Sequence, residues 1–414
     1  MLDAPPREPE WQSWCYVAVG VVIIYSTIPV ARTIRESVDA RIGNEIFLIC
    51  SIVLVLVGGI MAFRNLRRRT LSRGAYIWLG GILTAFIAQI YSLQDIPEEA
   101  IHVAEYALIS FMVFRALVHR IRDYGIYLIA TMITGMVGMV DEYIQWFVPN
   151  RVFDLADIAT NFIAGGTAQF AIFAGMRPRL IKEAPTAESW RRICNVGVAL
   201  IVILGVGFLN TPQRIYWYGN LIPSFAFLMD NKGMMVEYGY RYEDMEIGVF
   251  RSRFTRAQLK LLDQQRGSEV AITLDRYIRG EGYGPFQSIY TVVRDAYTHE
   301  AGVHLFRREY YIDRARESID KQGTHYNIAY RENQILEKYF SKSISNSTHH
   351  WGEEVVLEVS SNALKTIPYE STVSAGIITR FNEWQIMSIF GISGFALLLT
   401  GAYLGGSRRA AEKL

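Results

Sequence analysis

Long apolar stretches recur along this chain, and they restrict its fold more than any other feature. Runs of roughly 17–23 residues with few charges can cross the ~30 Å of hydrocarbon in a bilayer. About eight such runs are expected to be transmembrane helices: Trp14–Val30, Ile46–Phe63, Ala75–Leu93, Ile101–Leu117, Ile126–Phe147, Leu155–Met176, Ile193–Leu209 and Trp384–Tyr403. This excludes an ordinary water-soluble enzyme. The total does not decide the matter, since 51% hydrophobic residues in 414 is unexceptional; the segregation does. A formal net charge of +2 offers no concentrated basic surface, so no nucleic-acid partner is expected. Cys15, Cys50 and Cys194 all sit inside apolar runs, which suits neither a disulfide framework nor a C-x-x-C redox or zinc pair. The amino terminus carries acidic as well as basic residues and lacks a clean A-x-A cleavage site, so it reads as a retained span.

The fold class that follows is a polytopic α-helical membrane protein, with an α+β or mainly helical extracytoplasmic domain between its last two spans. Residues 1–192 form the transmembrane domain and 193–210 the seventh span. Residues 211–383 form the extracytoplasmic domain, and 384–414 the last span with a basic cytoplasmic tail. Lys and Arg in short loops mark the cytoplasmic side. Arg64, Arg67, Arg68 and Arg73 follow the second run, Arg120 and Arg122 the fourth, Arg177, Arg179, Arg191 and Arg192 the sixth, and Arg408 and Arg409 the last. The alternate loops are acidic or balanced. Both termini are therefore expected on the cytoplasmic side of the membrane.

Ionisable groups inside a span cost roughly 2.5–3.5 kcal/mol each at the helix centre, so each needs a reason. Here they gather at one face of the membrane. Glu98, His102 and Glu105 are spaced four and three apart at the start of the fourth run, hence on one helical face. Asp141, Glu142 and Gln145 close the fifth run, and Arg151 follows in the loop. Asp154, Asp157 and Asn161, spaced three and four apart, open the sixth. The bland account is a polar latch in which Arg151 locks the helices to one acid. The functional account is a pocket for a polar head group, a cation or a proton, with His102, Glu105, Asp141, Glu142, Gln145, Arg151, Asp157 and Asn161 as ligand-binding candidates. Arg151 would hold a phosphate or carboxylate by a bidentate contact, and His102 with Glu105 or Glu142 would move a proton. Gly165-Gly166 reads as a site of close helix approach.

These residues also carry a resemblance. Glu99-Ala-Ile-His102-Val-Ala-Glu105-Tyr106-Ala-Leu108 resembles the VanZ-like membrane family, as does Asp141-Glu142-Tyr-Ile-Gln145-Trp-Phe147-Val-Pro149-Asn-Arg151 leading to Asp157 and Asn161. Tyr25-Ser26-Thr-Ile-Pro29 is similar to the end of that family's first helix. The resemblance covers about residues 17–175, and it departs from the family at Asn150 and Ala164, where Gly is usual. It implies a bacterial envelope protein and a link to glycopeptide antibiotic response, without delivering a reaction.

Between the last two runs, Thr255-Arg-Ala-Gln-Leu-Lys-Leu-Leu and Ile328–Phe340 have helical periodicity. Val355-Val-Leu-Glu-Val reads as a strand by β-branched content, and Gly280–Pro285 as a turn or loop. His299-Glu300-x-x-x-His304 resembles the zincin motif but spaces its histidines five apart, off a common face. His349-His350 is a further candidate ligand pair; no metal or other cofactor is expected. Arg307-Arg308 and Arg314-x-Arg316 read as a solvated helix face. The preferred reading is a membrane protein whose outer-leaflet pocket binds a ligand or a lipid-linked or cell-wall precursor. One rival is an intramembrane enzyme acting on an isoprenoid-phosphate, with paired carboxylates holding a divalent cation. Another is an accessory subunit of a larger membrane complex, with a membrane-protein partner.

Overall fold

The computed structural model describes residues 6–68, 73–149, 151–181, 183–230, 233, 235–278, 282–317 and 321–411. Asn150, Gly280 and the side chains of Glu98, Arg408 and Arg409 lie outside the described residues. The chain divides into two compact units: residues 1–206 with 388–414, and residues 207–387.

The first unit is a helical bundle. Its helices are α1 (Glu10–Thr27), α2 (Ala31–Ile42), α3 (Glu45–Arg67), α4 (Arg73–Tyr91), α5 (Ala100–Leu117), α6 (Gly125–Trp146) and α7 (Leu155–Phe170). α8 (Ala187–Leu209) enters the second unit at its end. Among the described residues, six helices are long and apolar enough to cross a membrane: α3, α4, α5, α6, α8 and the carboxy-terminal helix that begins at Glu383. α1 and α2 make a seventh if the pair, bent by 71°, is one span. Pro29 sits at that break, where a ring without an N–H ends the hydrogen-bond ladder. α2 buries no residue and carries Arg32, Arg35, Glu36 and Asp39, as a surface helix does. The remaining expected span, Leu155–Met176, is the 16-residue α7 continued by a π-helical segment, Ala171–Met176. Sixteen residues rise only about 24 Å, so α7 relies on that continuation to approach the bilayer's thickness.

Small residues let the central helices meet. A Cβ on Gly135 would lie 2.0 Å from the Phe162 ring, and one on Gly165 would lie 2.8 Å from Thr134 Cγ2. With the backbones this close, polar side chains bridge them. Ser110 Oγ donates to the Gly165 carbonyl at 2.9 Å, and Gln169 Nε2 donates to the Ser110 carbonyl at 2.8 Å. Gly165 thus has the packing role expected of it.

The second unit is mainly helical with one hairpin. It holds α9 (Pro212–Leu221), β1 (Tyr240–Asp244), β2 (Gly248–Ser252), α10 (Arg256–Arg276) and α11 (Tyr283–Ile289). α12 (Val292–Glu317), α13 (Gln322–Tyr339), α14 (Ser341–Ser345) and α15 (Glu353–Asn362) follow, and α16 (Glu383–Ala411) leads back into the first unit. The strands pair antiparallel, Tyr242 opposite Phe250. α10 opens on a reciprocal cap between Thr255 and Gln258, which stops the chain from fraying there. Its core gathers Phe250, Leu274, Phe286, Leu305, Leu336 and Phe340.

Three expectations need correction here. Val355–Val359 is not a strand but part of α15. Val355, Val356 and Val359 recur at helical spacing and pack toward Tyr326 and Ala329. Glu353 and Glu354 in the first turn favour the helix dipole, and that pattern outweighs β-branched propensity. Within the Gly280–Pro285 segment, Tyr283, Gly284 and Pro285 are helical, because α11 begins at Tyr283, straight after Gly282 at φ 91°. Arg307 and Arg308 are not a solvated face. Arg308 is fully buried, donates to Asn333 Oδ1 at 2.7 Å, and stacks over the Trp351 ring at 4.5 Å. Arg307 Nε stands 3.0 Å from Glu332 Oε1. Arg314 and Arg316 are exposed as expected.

Glu332 is the charged centre of this unit. It is fully buried, accepts from Ser371 Oγ at 2.7 Å and from the Tyr369 hydroxyl, and lies 2.5 Å from His304 Nδ1. Burial pushes its carboxyl up, but the His304 ring and these donors outweigh burial and hold it below the ordinary 4.5. A carboxylate with a depressed folded value stabilises the fold above its unfolded value and loses that contribution as pH falls through the folded one. The protection of α13 against hydrogen–deuterium exchange, corrected for the intrinsic pH dependence of amide exchange, is therefore expected to fall as pH is lowered below 4.5, and Glu332→Gln is expected to remove that pH dependence. Equal pH dependence in both proteins would contradict this role for Glu332.

Candidate functional site

α5, α6 and α7 are consecutive, so the start of α5, the end of α6 and the start of α7 meet at one end of the bundle. Helical spacing turns His102, Asp141 and Asn161 inward from the three helices. Asp141, Glu142, Gln145 and Asn161 are at most 4% exposed. His102, Glu105, Arg151 and Asp157 are half-buried. His102 Nδ1 lies 3.2 Å from Glu105 Oε2, one turn along α5. Asp141 is within electrostatic range of His102, Glu105 and Arg151, and Asp157 of His102, Arg151 and Asp141. All eight candidates thus belong to one end of the bundle, and seven are linked by charge or hydrogen bonds.

Asn161 stands apart from those links. It packs against α6 at Gly138, where an added Cβ would lie 2.8 Å from Asn161 Cβ. Gly138 precedes Asp141 by three residues, so the amide and the carboxylate share the α6–α7 seam.

Within this cluster two groups of residues behave differently. Glu142, Gln145 and Arg151 form a relay. Arg151 Nη2 donates to Gln145 Oε1 at 2.5 Å, Gln145 Nε2 donates to Glu142 Oε1 at 2.7 Å, and Asp154 N donates to Glu142 Oε2 at 3.0 Å. Asp154 in turn caps α7, its Oδ1 accepting from Ala156 N at 2.7 Å, as an N-cap carboxylate does. This relay ties the end of α6 to the start of α7 and satisfies both oxygens of Glu142.

The other group is unsatisfied. Neither oxygen of Asp141 and neither polar atom of the Asn161 amide has a hydrogen-bond partner among the described residues. Arg151 Nε is in the same condition. The Tyr106 hydroxyl lies beside Asp141 and interacts with it, outside strict hydrogen-bond geometry. An orphaned buried polar group costs about 1–3 kcal/mol, more when charged. Chemically, the seam presents a carboxylate and an amide oxygen as acceptors, and an amide, a guanidinium N–H and a phenol as donors.

Sequence reasoning did not single out Tyr106, Tyr25 or Gln169 as functional. The Tyr25 hydroxyl donates to the Val137 carbonyl at 2.8 Å, and Tyr25 is within electrostatic range of Asp141. Gln169 lies eight residues past Asn161, about two turns on, and that spacing marks a shared face.

In the second unit, His299 and His304 face different surroundings. His299 Nδ1 is 2.7 Å from the Tyr290 carbonyl, whereas His304 faces Glu332. His349 is buried and His350 exposed. Among the described residues no three His, Cys, Asp or Glu side chains stand grouped as ligands for a metal ion.

Comparison of the chain with family models, curated proteins and solved structures returns no match. What the fold defines is a multi-pass helical membrane protein, mainly helical throughout, whose last span follows a helical region with a small hairpin.

The relay and the orphaned pair separate in stability. Arg151→Ala leaves Gln145 Oε1 without its donor and is expected to cost about 1–3 kcal/mol, seen as a lower melting temperature and faster exchange at 147–156. Asp141→Asn removes a buried carboxyl with no hydrogen-bond partner among the described residues and is expected to raise the melting temperature of the empty protein. A loss of stability in Asp141→Asn equal to that of Arg151→Ala would place Asp141 in the relay instead.

Proposed function

We propose that this chain is a VanZ-like protein of the bacterial cytoplasmic membrane whose α5–α6–α7 cluster binds a polar ligand or cell-envelope precursor at the outer leaflet. The orientation rests on the arginine clusters at the opposite loops, which mark the cytoplasmic side. Both termini then lie in the cytoplasm and residues 211–383 outside it. The resemblance to the family rests on the residues around His102, Asp141, Arg151 and Asp157. The link to glycopeptide antibiotic response is carried by that resemblance alone.

One observation carries the binding reading: Asp141 and Asn161 are buried, and none of their polar side-chain atoms has a hydrogen-bond partner among the described residues. A latch between helices has no use for such groups, whereas a site awaiting a ligand does. Asp141 and Asn161 would accept from hydroxyl or amine groups of the ligand, and Arg151 Nε would donate to a phosphate or carboxylate beside them. His102 and Glu105, paired at the mouth of the cluster, would steer the ligand's charge. Glu142, Gln145 and the rest of Arg151 position the loop and are not proposed to touch the ligand. No bond-making step is needed for this role.

Mass spectrometry of what remains bound to the purified full-length protein tests the proposal. A lipid-linked or otherwise polar small molecule is expected with the wild type, reduced at least about tenfold in Asp141→Ala, the worth of one buried charged hydrogen bond. Identical bound material in the wild type, Asp141→Ala and Asn161→Ala would leave only a packing role. A co-purifying protein lost on changes in residues 207–387 would favour the accessory-subunit reading.

A further inference from the structure

The second unit holds a cavity of its own, about 440 Å³, of a size ordinary for a small-molecule site. Its walls carry Arg214, Trp217, Glu237, Tyr238, Arg253 and Glu383. Two guanidiniums and two carboxylates face one space. Arg253 is 12% exposed and held in place, its Nε donating to Glu237 Oε2 at 2.5 Å and its Nη1 to Ser374 Oγ at 2.9 Å. Arg214 is 45% exposed, with Nη2 2.5 Å from Glu383 Oε1 and Nη1 donating to the Leu209 carbonyl at 2.6 Å.

Those last two contacts set the cavity's depth. Leu209 is the final residue of the membrane-spanning α8, and Glu383 the first of the membrane-spanning α16. Arg214 therefore joins the ends of two spans, at the level where hydrocarbon gives way to head groups. Tyr216, Trp217 and Leu221 of α9 and Trp384 of α16 are all more than half exposed. Aromatic rings with a polar edge favour that interface.

We infer that this cavity binds the head group of a zwitterionic phospholipid bearing a primary ammonium, as phosphatidylethanolamine does. The charge arrangement selects it. An anionic group alone would meet Glu237 and Glu383, and a cationic group alone would meet both arginines. A phosphate joined to an ammonium satisfies both signs at once. The primary ammonium brings N–H donors for the carboxylates, which a quaternary ammonium lacks. The Arg214–Glu383 pair is partly solvated, so opening it to admit the head group costs little. The acyl chains would run past Trp217 along the exposed apolar side of α9. This site is independent of the Asp141 cluster.

Native mass spectrometry of the full-length protein in mild detergent tests it, with phosphatidylethanolamine, phosphatidylcholine and phosphatidylglycerol of identical acyl chains as probes. The ethanolamine lipid is expected to be retained about tenfold more tightly than the other two, the worth of one charge-assisted hydrogen bond. The double substitution Arg214→Gln with Glu383→Gln, which removes both members of the pair, is expected to abolish that preference, and Asp141→Asn to leave it intact. Equal retention of the three lipids by the wild type overturns the inference and needs no variant to fold. A preference surviving in the folded double variant overturns it as well. Displacement of the lipid by soluble O-phosphoethanolamine at equal concentration overturns the bilayer as the source of the ligand.

Discussion

Everything at the polar end of the bundle depends on the cost of leaving a charge or a hydrogen-bonding group unpaired away from water. That cost fixes the loop between α6 and α7. Glu142 is buried at 1% exposure, yet both its oxygens are occupied, one by Gln145 and one by the backbone of Asp154. Arg151 completes the line from the loop side. The helices cannot slide along each other without breaking a buried hydrogen bond, so the seam that α6 and α7 share is held in register. The same rule makes the neighbouring Asp141 conspicuous. It is as buried as Glu142, one residue away, and neither of its oxygens has a hydrogen-bond partner among the described residues. Adjacent helical residues point about 100° apart. One carboxylate therefore meets the loop, and the other meets the seam with Tyr106.

Close helix contact makes this arrangement stiff. Gly135, Gly138 and Gly165 bring α6 and α7 within reach of one another, and Ser110 and Gln169 bridge to α5 in the same layer. A binding site on such a scaffold needs little rearrangement to receive its ligand. In the second unit charge is managed differently. Glu332 and Arg308 are as buried as any residue in the chain, and each is surrounded by partners. Beside α9 the same unit leaves two arginines and two glutamates lining an open cavity, which is why the cavity and not the core carries a binding inference.

Much of the fold was legible because a bilayer sets a length, and eight apolar runs matched it closely enough to locate the helices α1, α3 to α8 and α16, although α8 begins at Ala187 and α16 runs on to Ala411, beyond the expected ends. The bend at Pro29 and the short α7 escaped, since hydropathy counts residues and not their geometry. The site was legible as a cluster: spacings of three and four put His102 with Glu105, and Asp157 with Asn161, on shared faces. Its division into a satisfied relay and an orphaned pair was not, because that depends on which way each side chain turns at the end of α6. Val355–Val359 misled by composition, although its spacing was helical. Arg308 misled because a charged pair on a polar helix gives no hint that Asn333 and Trp351 lie opposite.

The most direct test of the account is a density map of the full-length protein purified from its native membrane, read at the seam between Asp141 and Asn161. The account predicts density belonging to neither side chain, within hydrogen-bond distance of both and reaching toward Arg151. A seam closed by the protein's own groups, with Asp141 bonded to Tyr106 or Asn161 and no room between them, would contradict it.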